Sequence, residues 1–139
     1  CMAPADRGIR IMQVITCIYK GNKMVTWALV VFAIAAVAGL TMAIGHFKGR
    51  TPAVSTAVIH GIFAATGLVL LLLAVFKEGA GNTARWALYL FLIAAIGGFT
   101  LALGYHARKR PLPTGLVAGH ALLAVTAFLI LLIGFLGVF

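Results

Sequence analysis

WALVVFAIAAVAGLTMAIG (27–45) and WALYLFLIAAIGGFTLALG (86–104) decide the fold of this chain. Each consists of apolar and small side chains, with no acid, lysine or arginine anywhere inside it. A helix rises 1.5 Å per residue, so about twenty such residues cross a hydrocarbon core of about 30 Å. Laid over each other at an offset of 59, the two stretches agree at eleven of nineteen positions. A membrane-spanning segment has therefore been written twice.

The residues beyond each copy are also repeated. GHFKGRTPAVSTAVIHG (45–61) and YHARKRPLPTGLVAGHA (105–121) each pass through a basic turn into a second apolar run. They hold His46 and His60, then His106 and His120, which are the four histidines of the protein. The second runs share His60/His120, Ala64/Ala124, Thr66/Thr126, Leu71/Leu131 and Leu72/Leu132 at an offset of 60. The chain reads as a tandem duplication of a two-helix hairpin, with repeat 1 at about 24–79 and repeat 2 at about 82–139. The change of offset makes Tyr105 an extra residue immediately before His106. On a continuous helix that insertion turns His106 by about 100° relative to His46.

The apolar runs predict four spans, at 25–45, 53–76, 84–105 and 115–139. Lipid offers no water to unpaired backbone groups, so the spans should be helices. Pro52 and Pro113 suit the first turns of the second and fourth. Trp27 and Trp86 stand where an indole reaches the headgroup layer. The segment 1–23, with Ile9, Ile11, Met12, Val14, Ile15 and Ile18 among basic residues, reads as an interfacial helix or a flexible leader.

Composition agrees and excludes several functions. The chain is 63% hydrophobic and 9% charged, where soluble domains carry about a quarter charged residues. The expected class is an all-α integral membrane protein, with one four-helix domain over 24–139. The net charge of +9 sits at segment ends, where membrane lipids rather than nucleic acid are the natural partner. Asp6 and Glu78 are the sole acids and lie outside the apolar runs, which argues against a proton- or sodium-driven carrier and against a calcium site. Cys1 and Cys17 form no CxxCH, so no covalent haem attachment is expected.

A repeat of two spans keeps its orientation, which places both histidine-bearing turns on one side of the membrane. All four histidines are expected there as one tier. Lys48, Arg50, Arg108, Lys109 and Arg110 lie at the same end, against Lys20, Lys23, Lys77 and Arg85 at the other, a balance that leaves the sidedness open. Neutral imidazoles without neighbouring carboxylates or thiols suit haem iron, copper or zinc.

The helix faces favour haem. Ala64 and Gly67 come after His60 at helical spacing, and Ala124 and Ala127 after His120. Ala35, Gly39 and Met42 precede His46, and Ala95 and Ala102 precede His106. Small residues beside a ligand leave room for a flat macrocycle, and Arg50, Arg108 and Arg110 can pair with its propionates. The same small residues also let cofactor-free membrane helices pack closely.

The four helices with these histidines resemble the membrane b-type cytochromes, whose bundles hold haem between paired histidines. That resemblance implies one or two b haems on His46, His60, His106 and His120, with both axial positions of each iron filled. It implies an electron-transfer subunit of a bacterial inner membrane, rather than a stand-alone enzyme, working with a quinone or a redox protein. The single tier departs from the family pattern of haems near opposite faces, so this subunit would not carry electrons across the membrane alone. In an up-down bundle helices 1 and 3 are diagonal, which favours His46 with His106 and His60 with His120, with pairing between adjacent helices as the alternative. Two further readings stand beside it: a cofactor-free structural subunit of a larger membrane complex, and a copper- or zinc-handling membrane protein.

Overall fold

The computed structural model describes residues 23–137; the leader expected at 1–23 falls, but for Lys23, outside them. Four helices run in order: α1 (Lys23–Phe47), α2 (Val54–Lys77), α3 (Asn82–Phe99) and α4 (Thr114–Phe135). A π-helical segment, Thr100–His106, continues α3 without a break. Each of α1, α2, α3 with its π extension, and α4 is long and apolar enough to cross a membrane. α1 packs along α2 and α3 along α4, and the two hairpins join through α1 with α4 and α2 with α3. This is an up-down-up-down bundle, with α1 and α3 on one diagonal and α2 and α4 on the other.

The helix ends correct two expectations. Pro113 is the residue before α4, with ψ 120°, and Ala53 rather than Pro52 precedes α2. Both prolines therefore sit just outside their helices, and the residues that lead in, Ala53 and Pro113, are extended. The run 115–139 also stops being α-helical at Phe135, because Gly137 takes φ 68° and ends the helix.

The core lies at one end. Val25, Ala28, Leu29, Phe32, Leu71, Ala74, Val75, Ala84, Ala87, Leu88, Phe91, Ala127 and Leu131 bury themselves in one cluster, far from the histidine-bearing turns. Phe32 and Phe91 stack across the α1–α3 diagonal with centroids 4.0 Å apart and planes 7° from parallel. Beyond Ala35 on α1 and Ala94 on α3, the histidine end contributes no buried residue: none in 36–66 and none in 95–126. At the core end Glu78, in the α2–α3 turn, accepts a hydrogen bond from the Met24 backbone N–H at 3.2 Å. An acid there complements the positive end of the α1 dipole.

The π-helical segment accounts for Tyr105. An i→i+5 bond encloses one residue more than an α-helical turn, so a π turn absorbs an insertion within the helix. The Ala107 N–H donates to Ala102 O at 2.8 Å in this pattern. Tyr105 lies within this widened turn, which stands in place of the expected rotation of about 100° on a continuous α-helix. Past it, corresponding positions agree again. The Arg50 N–H donates to Gly45 O and the Arg110 N–H to Tyr105 O, each at 2.9 Å.

Between those bonds Gly49 takes φ 74°, and its counterpart Lys109 takes φ 53°. A side chain in this left-handed region costs about 1 kcal/mol, which glycine avoids. Lys109→Gly is accordingly expected to stabilise the bundle by about 0.5–1 kcal/mol. An unfolding titration with sodium dodecyl sulfate should show a later midpoint; an earlier one would mean that the lysine side chain contributes more than its backbone strain removes.

Candidate functional site

The inner histidines meet in the bundle. His60 on α2 and His120 on α4 face each other across the second diagonal, with ring centroids 6.2 Å apart and planes at 80°. Both rings are partly buried. The His60 Nδ1–H donates to the Ala35 carbonyl of α1, and the His120 Nδ1–H to the Ala94 carbonyl of α3, each at 2.8 Å. A carbonyl can only accept, so Nδ1 carries the proton in both rings and a neutral ring keeps Nε2 as a bare acceptor.

Glycines make these seats. A Cβ on Gly39 would stand 3.0 Å from His60 Cε1, and one on Gly98 would stand 3.1 Å from His120 Cε1. The imidazoles lie where a side chain would otherwise be. Ala35 and Ala94, like Gly39 and Gly98, are related by the same offset of 59 as the first helices, so the two contacts occupy matching positions. Immediately beneath lies the Phe32–Phe91 stack. Gly67 packs under it, where an added Cβ would meet the Phe32 ring at 2.9 Å, and Ala127 is fully buried in the same cluster. Ala64 and Ala124, one turn nearer the histidines, are partly buried.

The outer histidines are placed differently. His46, in the last turn of α1, shares a hydrogen bond of 3.4 Å through Nε2 with the hydroxyl of Thr114, the first residue of α4. His106 ends the π-helical segment, and its Nε2 is the one buried side-chain nitrogen or oxygen among the described residues without a hydrogen-bond partner. The position matching Thr114 at the offset of 60 is Val54, which has no hydroxyl. The ring neighbour of His46 is Phe47, with centroids 5.7 Å apart.

The single tier expected from distances to segment ends is thus two levels. Gly39 to His46 is seven residues and Thr114 to His120 is six, so the inner and outer pairs lie about 10 Å apart along the bundle. Arg50, Arg108 and Arg110 are exposed in the turns beyond the outer level.

The donor set narrows the chemistry. Among the described residues no three His, Cys, Asp or Glu side chains converge on one point, whereas a structural zinc site takes four ligands from the protein. The bundle offers instead one opposed pair. An imidazole nitrogen binds a first-row metal at about 2 Å, which puts the centres of two rings sharing one metal about 6 Å apart. The inner pair matches that spacing, and each second nitrogen is already fixed by a carbonyl, as in ligating histidines generally. A macrocycle supplies the other four donors itself. At the histidine end beyond Ala35 and Ala94 the side chains are at most partly buried.

The carbonyls of Ala35 and Ala94 were not legible as partners. The small-residue spacing assigned Ala35 and Gly39 to the face of His46, and Ala95 to that of His106; the offset of 59, carried through Ala35 to Ala94 and Gly39 to Gly98, held the missing signal. No family model, no curated protein and no solved structure matches the chain.

Proposed function

We propose that this chain is a b-type cytochrome-like electron-transfer subunit, holding one haem b between His60 and His120. The observation that carries the reading is the inner pair: two imidazoles 6.2 Å apart on opposed helices, each tethered through Nδ1 to a carbonyl. A haem held by His60 and His120 would supply reversible one-electron exchange rather than oxygen chemistry. The chain's own part is orientation. The carbonyls of Ala35 and Ala94 hold the rings in one tautomer, the glycines let them lie against α1 and α3, and the Phe32–Phe91 stack closes the site below. Arg50, Arg108 and Arg110 supply positive charge at the same end for carboxylate tails. The matched contacts at offsets of 59 and 60 also support descent from a duplicated hairpin, and a bacterial inner membrane is the location this reading implies.

A reduced-minus-oxidised absorbance spectrum of the purified protein is the test. A low-spin signal is expected, lost in His60→Ala and in His120→Ala and kept in His46→Ala and His106→Ala. Loss in the outer variants with retention in the inner ones would overturn the assignment. One observation favours a second reading, a cofactor-free accessory subunit. The same two His–carbonyl bonds also join α2 to α1 and α4 to α3, which is useful to a bundle whose core stops at Phe32 and Phe91. A colourless protein whose inner variants lose stability alone would establish that reading instead, and a colourless protein with stoichiometric copper or zinc would point to metal handling.

A further inference from the structure

We propose that His106 is the binding point for the head of a membrane-dissolved quinone, at the same end of the bundle as the inner pair. The inference deepens the electron-transfer reading and takes its sense from it, since a quinone is a lipid-soluble carrier of electrons.

Three observations meet at this residue. Its Nε2 is buried and unpartnered, while its counterpart His46 has the Thr114 hydroxyl. An orphaned buried nitrogen in a native fold calls for a partner from outside the chain. The residue closes the π-helical segment Thr100–His106, and such widened turns concentrate at functional sites. That segment contributes no residue to the core, so uncovering the nitrogen for a ligand takes a movement within this turn and leaves the buried cluster intact.

The chemistry of the place narrows the ligand. One imidazole nitrogen can accept from a hydroxyl or, as the other tautomer, donate to a carbonyl. A quinone presents the carbonyl when oxidised and the hydroxyl when reduced, so the same side chain serves both forms. The surroundings are apolar below, with Leu101 and Leu103 on the segment, and cationic above, with Arg108, Lys109 and Arg110 exposed. That gradient suits an apolar molecule with a polar head. His106 is eight residues past Gly98, against which His120 rests, or about 12 Å along the helix.

The full chain in lipid nanodiscs, titrated with decylubiquinone and read as quinone retained through gel filtration, tests this without using haem. Saturable binding near one per chain is expected. His106→Ala, and His106→Phe as a ring of similar size lacking the nitrogen, should weaken it by about tenfold, the effect of one hydrogen bond. His106→Gln, whose amide can donate or accept, should stay within about threefold, and His46→Ala should bind as the unaltered chain does. Equal binding by the alanine and phenylalanine variants, or no saturable binding by the unaltered chain, would overturn the assignment. A chain that lacks the haem spectrum yet binds decylubiquinone through His106 would leave this site standing and remove the electron-transfer reading.

Discussion

Gly39→Val is expected to expel the His60 imidazole from its seat on α1. The first carbon of any side chain at position 39 begins 3.0 Å from His60 Cε1, and the valine methyls would occupy the ring itself. The ring must then leave the Ala35 carbonyl, and its spacing to His120 changes with it. Overpacking of a filled site costs about 1–3 kcal/mol, and the broken hydrogen bond adds about 1 kcal/mol. Gly98→Val should act in the same way on His120, where an added carbon would begin at 3.1 Å. The alanine variants should be far milder, since the ring needs to yield by only a few tenths of an ångström.

A double-mutant cycle checks the mechanism rather than the sum. With His60→Ala already in place, Gly39→Val should cost little, because the space it claims is empty, and the two changes should couple by about 1–3 kcal/mol. Additive effects would show that Gly39 matters for a reason other than the imidazole. For the proposed haem the same logic holds: on that reading Gly39→Val should lower the low-spin absorbance as His60→Ala does, while leaving the unaltered His120 bonded to Ala94.

The stacked phenylalanines should produce the other large effect. Phe32 and Phe91 are both buried and lie face to face at 4.0 Å, where the core ends and the histidine level begins. Phe→Ala in a core typically costs about 3–5 kcal/mol. The lower end is expected here, because the displaced ring has lipid rather than water as its alternative surroundings. The double variant should fall short of the sum by about 0.5–1.5 kcal/mol, the worth of an aromatic pair beyond its burial. Gly67→Ala supplies the control. Its added carbon would meet the Phe32 ring at 2.9 Å, so it should be harmful in the unaltered chain and tolerated beside Phe32→Ala. Unfolding with sodium dodecyl sulfate in mixed micelles measures each of these variants; an unchanged midpoint in Phe32→Ala would mean the stack does not join the diagonal.

Both predictions concern contacts that no stretch of the sequence displays. Four helices were legible because in lipid the decision is local: a run of about twenty apolar residues must satisfy its own backbone, and only a helix does so. The repeat was legible as letters, and so was Tyr105 as the residue out of step. Its consequence was not. Whether an insertion rotates everything beyond it or widens one turn depends on what the neighbouring helices require, and here the turn at Thr100–His106 widens while Arg110 bonds to Tyr105 as Arg50 bonds to Gly45.

By itself the sequence determined the four spans, their order and the common end of the histidines. Tertiary structure alone decided how each helix is rotated about its axis, and therefore what each histidine touches. The reason is physical. A helix at a water interface declares its inner face by a stripe of apolar residues, but α1 to α4 are apolar all round, so side chains such as Val37, Ile62, Ile96 and Leu122 point outward as readily as Leu71 and Leu131 point inward. Rotation is then set by fit: glycines at 39 and 98 admitting imidazoles, Gly67 admitting Phe32, and two carbonyls placed to receive a proton. These are properties of pairs of helices. They separated the histidines into two levels, left Nε2 of His106 alone, and ended the core at Phe32 and Phe91.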